Sequence, residues 1–323
     1  MQGDRSLAPL WRSGARFAAG AALIWLLLAA LWNGLPYLRN GAAAVAADKR
    51  ALAAGTALFS PVDRQRIVVF GDSRLLAGFE PAAFAAAAGP GVSSFNLAIP
   101  GEDRFVDILE AGLAAGNRPT HVMLQKLPAA PPPGGWRAAL RDDRRSVEWL
   151  LPFRPLPRDA ATFLWEALRG DGLRAHYRAN AAQIAAMRAD RGHFFIRSQS
   201  HYPGDRLPPG FSLPTDRSGE IEQRSVDLAA PDLRRLMGLA EAHGFEVVLV
   251  PTPVRLGEKA QPPDCDSAML AALRGQARLR VLGPASLNYP PTLFSDPVHL
   301  NREGARRYSQ ELAALWRADS AGR

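Results

Sequence analysis

Two short motifs at opposite ends of the chain carry the residue types that acyl-transfer chemistry needs. Gly-Asp-Ser ends at Ser73 after the apolar run Ile67–Phe70, and Asp-Pro-Val-His runs from Asp296 to His299. A serine hydroxyl is a weak nucleophile at neutral pH, so it needs a base within hydrogen-bond reach. An imidazole base in turn needs its second nitrogen held in the correct tautomer, which a carboxylate on the same turn can do. We therefore predict a triad of Ser73, His299 and Asp296.

Taken singly, each motif is also consistent with a plain structural feature, a turn that ends a strand or a helix cap. Together and in this order they resemble the SGNH (GDSL) hydrolase family, over about residues 65–128 and 231–317. The resemblance implies that Ser73 is the nucleophile and that the fold is an α/β, three-layer, doubly wound parallel sheet. The last block of the family, Asp-x-x-His, continues here in the usual pattern with Leu300, Asn301 and Gly304.

The resemblance also implies an oxyanion hole, in which the backbone N–H of Ser73 acts with two further donors. The second block of the family centres on a glycine, and Asn-Leu-Ala-Ile-Pro-Gly places it at Gly101. The third block, normally Gly-x-Asn-Asp, is replaced by Gln-Lys-Leu-Pro from Gln125, so the asparagine donor is missing. Gln125 either replaces it or is simply solvated at a strand end. Because one oxyanion donor is worth roughly 10²–10³ in rate, the departure predicts a slow enzyme.

A second strong feature is an uncharged segment near the N-terminus. No charged residue lies between Phe17 and Leu38, and the middle of this segment is continuously apolar. About 20 apolar residues span the hydrocarbon core of a bilayer, so residues 17–38 predict a transmembrane helix. The alternative is a cleaved signal peptide, because an Ala-x-Ala site begins at Ala44. That site lies far beyond the apolar run, which favours an uncleaved anchor.

The orientation of this span is judged from the basic residues and the lengths of chain on its two sides. Basic residues lie on both sides in nearly equal number, so the positive-inside rule is almost balanced; they are Arg5, Arg12 and Arg16 before the span and Arg39, Lys49 and Arg50 after it. A short basic N-terminus and a large downstream domain still favour residues 1–16 as a cytoplasmic tail. The chain is then expected to be a single-pass protein of the inner or plasma membrane, with its catalytic domain in the periplasm or outside.

The rest of the composition excludes several classes of protein. Cys265 is the only cysteine, so an internal disulfide is excluded. The net charge of +8 comes from scattered arginines without a basic block interleaved with aromatics, which argues against nucleic-acid binding. His193 and His201 are too loosely spaced for a zinc site, so no metal or other cofactor is expected. These two histidines either reach substrate from a lid or lie on the surface.

Between the motifs, apolar runs alternate with helical patterns. Such alternation predicts a parallel sheet covered by helices. Five runs are predicted strands, namely 67–70, 94–99, 122–124, 245–250 and 278–282, and Asn301 is predicted to cap a final helix. Residues 39–64 are predicted to be an alanine-rich connector that lifts the domain, 65–323, off the membrane. Residues 129–230, rich in proline and glycine and partly helical, interrupt the alternation and are interpreted as a cap or lid.

Membrane-tethered relatives within the family O-acylate or de-O-acylate cell-surface polymers, usually with a multi-pass membrane acyltransferase. The resemblance therefore implies a membrane-anchored acyl esterase or O-acyltransferase, with the bilayer, a polysaccharide and such an acyltransferase as partners. Two alternatives remain open. One is a simple anchored esterase or lipase on small esters, which would use the same triad. The other is a non-catalytic scaffold of a polysaccharide assembly complex, which the altered third block would permit.

Overall fold

The computed structural model describes residues 8–39, 41–55, 57–100, 105–128, 151, 153–195, 202–213, 230–256, 273 and 276–322. The chain forms two compact units. The N-terminal unit consists of Met1–Ala44 and Pro133–Ala181, and the α/β unit consists of Val45–Pro132 and Ala182–Arg323.

Helices and strands alternate through most of the described chain. The helices are α1 (Ala8–Gly34), α2 (Gly41–Gly55), α3 (Ser73–Gly78), α4 (Pro81–Ala88), α5 (Phe105–Ala114), α6 (Leu156–Arg169), α7 (Leu173–Ala189), α8 (Pro231–His243) and α9 (Arg302–Ala321). The strands are β1 (Gln65–Phe70), β2 (Val92–Asn96), β3 (His121–Leu124), β4 (Glu246–Leu249), β5 (Thr252–Arg255), β6 (Leu279–Val281) and β7 (Ser286–Tyr289).

The α/β unit is built around a parallel sheet of five strands in the order β2-β1-β3-β4-β6. Successive side chains of a strand point to opposite faces. On β1, Val68 and Phe70 join a core that includes residues of α5 and α8, while Ile67 and Val69 are fully buried as well. Both faces of the sheet are therefore covered, which explains the unbroken apolar run Ile67–Phe70 in β1. The predicted mixed α/β class with a parallel sheet is confirmed.

The strand bounds differ from the predicted ones, most of all at β2. The strand ends at Asn96, whereas the apolar pattern predicted a strand as far as Ile99. The backbone still pairs beyond that point, because Leu97 N donates to Val69 O at 2.8 Å and Ile99 N donates to Gly71 O at 2.9 Å. Leu97, Ala98 and Ile99 are buried as well, so the apolar pattern matches the extent of this pairing.

A second, two-stranded parallel sheet pairs β5 with β7, and the sequence analysis missed it. Pro253 lies inside β5, opposite Leu287, and proline argues against a strand because it cannot donate to the ladder. In a sheet of two strands each strand has an open edge, so the missing donor is tolerated there. β5 follows β4 in the chain, and β7 precedes the segment that carries Asp296 and His299.

Part of the predicted connector belongs to the α/β unit. From Val45 onwards α2 packs into that unit, where Val45, Ala53 and Lys49 are buried. The Asn117 amide donates to Ala53 O at 2.8 Å, and its oxygen accepts from Leu58 N at 2.8 Å. From Val45 onwards the predicted connector is therefore part of the α/β unit, and its role between membrane and domain stays a prediction. Alanine-rich helices are thin, which is why this one can pack so closely.

The predicted insert is likewise divided. Its described helices α6 and α7 start in the N-terminal unit, whereas the chain from Ala182 onwards belongs to the α/β unit. The described residues within 129–230 thus belong to both units, and the interpretation of this segment as a cap or lid stays a prediction. Residues 129–150, 196–201 and 214–229 lie outside the described residues.

The N-terminal helix α1 is long and apolar enough to cross a membrane. Its candidate span, Ser13–Gly34, has 22 residues and a mean hydropathy of 1.8, with none of its most apolar stretch buried within the protein. The span thus begins and ends about one turn before the predicted 17–38. Pro36 explains the shift, because proline cannot continue a helix, and Pro36–Leu38 forms a short 3₁₀ turn instead.

Candidate active site

The turn after β1 presents Ser73 at the carboxyl edge of the sheet. Ser73 is the first residue of α3, and Asp72 caps the helix by accepting from Arg74 N at 2.9 Å. Gly71 makes the turn possible: a Cβ there would lie 2.7 Å from Gln125 Oε1 and 3.0 Å from Leu75 Cβ. The Gly-Asp-Ser sequence is therefore explained residue by residue, with glycine for space, aspartate for the cap and serine for the half-buried hydroxyl that meets His299.

The predicted base and its orienting carboxylate lie beside this hydroxyl. His299 Nε2 is 2.8 Å from Ser73 Oγ, and His299 Nδ1 is 2.7 Å from Asp296 Oδ2. Asp296 Oδ1 accepts from the backbone N–H groups of Val298 and His299, at 2.9 and 2.8 Å. The structure thus brings Ser73, His299 and Asp296 together in a chain of hydrogen bonds, although 226 positions separate the serine from the histidine.

The tautomer of His299 follows from its partners. Burial acts to raise the pKa of Asp296, but the hydrogen bond with His299, its charge and two backbone N–H groups together lower that pKa below its ordinary value. Asp296 is therefore a carboxylate, which can only accept hydrogen bonds. His299 Nδ1 must then carry the proton, which leaves Nε2 to accept from the Ser73 hydroxyl. This is the protonation state that a general base requires.

The loop that carries Asp296 and His299 is closed at both ends. Ser295 N donates to His299 O at 2.9 Å, and the Asn301 side chain caps α9 by accepting from Gly304 N at 3.0 Å. The predicted cap is confirmed. A Cβ at Gly304 would lie 2.2 Å from Leu293 O, so only glycine fits where α9 crosses this loop.

Arg255 supports the same loop and was missed by the sequence analysis. Its side chain is buried, and it donates to Pro297 O at 3.1 Å and to Phe211 O at 3.2 Å. The guanidinium also lies 5.1 Å from the centre of the Phe211 ring. Pro297 stands between Asp296 and His299, so Arg255 holds the backbone that positions the base. An arginine after two prolines carried no signal of this kind in the sequence.

A buried polar group also secures α3 behind the nucleophile. Asn96 Nδ2 donates to the carbonyls of Leu75, Leu76 and Phe79, at 2.8, 3.2 and 2.8 Å. A short helix leaves its last carbonyls without partners within the helix. Asn96 is fully buried, so its amide meets that requirement where water does not reach. The side chain thereby fixes the helix that begins at Ser73.

His193 has a related structural role. It is buried, with Nε2 3.0 Å from Ala77 O, which is another carbonyl of α3. Burial lowers the pKa of His193, against the smaller effect of this hydrogen bond. The expectation that His193 lies on the surface or reaches substrate from a lid is therefore wrong. His201, weighed with it, lies outside the described residues.

The predicted oxyanion hole is described only in part. Ser73 N is at the first position of α3, where a helix leaves its N–H groups without partners inside the helix. Gln125 lies against the nucleophile turn, where its Oε1 accepts from Asp72 N at 3.1 Å. Its amide nitrogen is then the group left to donate, so its part in the oxyanion hole stays a prediction. Gly101 lies outside the described residues.

Within the described part of the chain, no group of three or more His, Cys, Asp or Glu side chains could hold a metal ion. Cys265 lies outside that part. Comparison of the chain with protein-family models, with curated proteins and with solved structures finds no match.

Proposed function

We propose that this protein is a membrane-anchored serine acyl esterase or O-acyltransferase of the SGNH type, with its domain outside the cytoplasm. The observation that carries the proposal is the chain of hydrogen bonds from Ser73 Oγ through His299 to Asp296, at 2.8 and 2.7 Å. It lies at the carboxyl edge of a parallel sheet, where open α/β folds bind their ligands. The apolar helix α1 supports the anchor.

The proposed reaction has two steps. Ser73 Oγ attacks the carbonyl carbon of an acyl ester while His299 Nε2 takes the hydroxyl proton, and Asp296 stabilises the imidazolium that forms. His299 then returns the proton to the departing alcohol, which leaves the acyl group on Ser73. In the second step His299 takes a proton from water or from a sugar hydroxyl. That oxygen attacks the acyl carbon, and the proton returns to Ser73 Oγ.

The oxyanion formed in each step needs donors, and Ser73 N is the one the described site supports most directly. Gln125 is the proposed second donor, since its amide lies beside the turn that presents Ser73. The backbone N–H of Gly101 is the third proposed donor, by resemblance to the second block of the SGNH family. Compared with an asparagine, a glutamine has one more rotatable bond to order, so we expect slower turnover than a complete hole would give.

The proposed substrate is an O-acylated polysaccharide at the cell surface or in secretion, and a multi-pass membrane acyltransferase is the proposed donor of acyl groups. A membrane-tethered serine hydrolase fits such a polymer because both stay close to the membrane. A simple esterase on small esters would use the same three residues. The acceptor in the second step, water or a sugar hydroxyl, decides whether the protein is an esterase or a transferase.

The proposal is tested with the full-length protein in detergent. It is incubated with a fluorophosphonate and with an activated acetate ester, and the labelled peptide is identified by mass spectrometry. We expect the label on Ser73 and a slow release of acetate. No label and no release would refute the enzyme and favour the scaffold.

An oligosaccharide acceptor then separates the two enzymatic alternatives. If acylated sugar forms at the expense of free acetate, the protein is a transferase, because sugar and water compete for one acyl-enzyme. If acetate release is unchanged by every sugar tried, water is the acceptor and the protein is an esterase. The fluorophosphonate label on Ser73 is expected in both cases.

A further inference from the structure

Helix α6 of the N-terminal unit and its flanks carry an apolar strip whose side chains are exposed among the described residues. Leu164, Trp165 and Leu168 are 47, 60 and 77% exposed, although leucine and tryptophan are usually covered. Leu151 before the helix and Leu173 after it are 45 and 49% exposed. We propose that this strip, defined by these five residues, lies in the interface of the membrane that α1 enters and binds anionic lipid there.

The strip is continuous with the buried side of α6. Phe163 and Ala167 are buried, and the Phe163 ring packs against His176 and Tyr177 of α7 at centre distances of 4.9 and 6.4 Å. Leu164 and Leu168 each follow a buried residue and lie about 100° around the helix from it, whereas Trp165 lies on the far side from Phe163 and Ala167. With about 100° of rotation per residue, the apolar arc therefore extends well beyond what α7 covers. Arg158, Thr162, Glu166 and Arg169 make up the remaining, polar arc, which adjoins Trp165 on one side.

Contacts within the N-terminal unit attach the two helices to the end of the candidate span. The Tyr37 and Tyr177 rings meet edge-to-face at 5.3 Å, and the Asn180 amide donates to Tyr37 O at 3.2 Å. Tyr37 lies three residues beyond Gly34, at the depth where tyrosine and tryptophan line a membrane surface. The helices are therefore held at the level of the lipid headgroups, provided that α1 spans the membrane.

A further contact reaches deeper along α1. The Phe153 ring lies 6.0 Å from the ring of Trp25, edge-to-face. Trp25 is nine residues before Gly34, which corresponds to about 13 Å along a helix. Phe153, three residues before α6, thus packs on the apolar surface of α1 within the candidate span.

The charge around the strip favours anionic lipid. Between 153 and 180 five arginines are exposed, against two exposed carboxylates, Glu166 and Asp171; the arginines are Arg154, Arg158, Arg169, Arg174 and Arg178. The Arg169 guanidinium lies 4.4 Å from the centre of the Trp165 ring, so this charge stands at the edge of the strip itself. Apolar side chains flanked by arginine are typical of helices that lie in a membrane surface.

The depth of the strip is measured on the full-length protein in nanodiscs. In a Cys265→Ser background, a nitroxide is attached to Leu168→Cys on the strip or, as a matched control, to Glu166→Cys on the polar side. The Glu166 side chain is 57% exposed. We expect relaxation of the Leu168 label by oxygen to exceed relaxation by a water-soluble nickel chelate, and the reverse at Glu166.

Three outcomes would overturn the proposal. Equal access of the nickel chelate to both labels would show that the strip faces water. Dipolar broadening at Leu168 that disappears on dilution with unlabelled protein would show that a second copy covers it. A label that neither oxygen nor nickel reaches would show that protein, from this chain or a partner, covers it.

The lipid preference is tested in the same way. Nanodiscs of phosphatidylglycerol are compared with nanodiscs of phosphatidylcholine, with and without the double change Arg169→Glu, Arg174→Glu. We expect a deeper Leu168 label in the anionic lipid and loss of that difference in the charge-reversed variant. The same depth in both lipids would refute the preference for anionic lipid.

Discussion

The two units differ in the exposure of their aromatic side chains. In the α/β unit the aromatic side chains of α9, Tyr308 and Trp316, are 0 and 2% exposed. In the N-terminal unit Trp165 is 60% and Phe17 is 79% exposed. A protein in water buries apolar surface because exposing it is costly. This contrast is the one expected if the N-terminal unit lies in lipid, as proposed above, and the α/β unit lies in water.

Polar groups show the complementary difference. In the α/β unit buried polar side chains are tied to backbone groups around the candidate site, as Asn96 is to α3 and Arg255 to Pro297. In the N-terminal unit most arginines of α6 and α7 are exposed. Substitutions of these buried polar side chains should therefore change catalysis or stability, whereas substitutions on the strip should change neither in detergent.

The largest effect is expected from Ser73→Ala. Loss of the nucleophile should reduce kcat for an activated acetate ester by roughly 10⁴–10⁶-fold while the melting temperature stays nearly unchanged. Ser60→Ala is the matched control, because Ser60 lies exposed in a turn of the same unit and hydrogen-bonds through its backbone. Ester hydrolysis that survives in purified Ser73→Ala protein would mean that another residue is the nucleophile.

Asp296→Asn should be the next most damaging change. The amide oxygen can still accept from Val298 N and His299 N, but its NH₂ group would face His299 Nδ1. His299 would then carry its proton on Nε2, where it cannot accept from Ser73, and kcat should fall by about 10³–10⁴-fold. The measurement is steady-state ester hydrolysis. A loss below tenfold would show that Asp296 does not set the tautomer.

Arg255→Met should have a smaller effect on the same reaction. It removes the donors to Pro297 O and Phe211 O, so the segment that carries His299 becomes less well positioned. We expect kcat to fall by about 10–100-fold, with KM for a small ester nearly unchanged. Arg307→Met, on an exposed side of α9, is the control. If KM rises and kcat does not fall, Arg255 contacts substrate rather than positioning the base.

Lys49 should make the stability of the α/β unit depend on pH. Its ammonium is buried and donates to Asn96 O and Gly192 O, and burial lowers its pKa from 10.5 to about 7, against the opposing charge of Asp48. Between these values the unfolded chain holds a proton that the folded chain has lost. Stability should therefore increase with pH across this window, by on the order of 1 kcal/mol per pH unit.

Thermal unfolding of the wild type and of Lys49→Met between pH 6 and 10 tests this expectation. Lys49→Met keeps the length of the side chain but removes its charge, so its stability should lack the rise attributed to Lys49. The difference between the two proteins isolates this residue from other titrating groups. Parallel pH profiles would show that Lys49 stays charged in the folded protein.

The smallest effect is expected from the strip. In detergent, Trp165→Ser and Leu168→Ser should change the free energy of unfolding by no more than about 0.5 kcal/mol, because exposed side chains have few contacts to lose. Trp316→Ala in the α/β unit should cost about 3–5 kcal/mol. Chemical denaturation of the three variants measures this contrast. Comparable losses at Trp165 and Trp316 would show that the strip is covered by protein.

The sequence by itself predicted strands and helix ends that depend only on neighbouring residues. The wholly apolar run before Gly71 indicated a buried strand, because in a parallel sheet both faces are covered. Asn301 indicated a helix start, since its side chain satisfies an N–H group within one turn. The residues of the predicted triad were chosen because each has a chemical type that acyl transfer requires. Ser73 directly follows β1, whereas Asp296 and His299 reach it from the loop between β7 and α9.

Tertiary structure alone decided what depends on distant partners. Asn96, Arg255 and Lys49 have ordinary residue types at ordinary places in the sequence, and their roles appear only with the carbonyls that they meet. The pairing of β5 with β7 and the burial of α2 depended in the same way on segments far along the chain. Short-range patterns report the preferences of a segment, whereas a buried hydrogen bond between distant residues depends on how the whole unit is assembled.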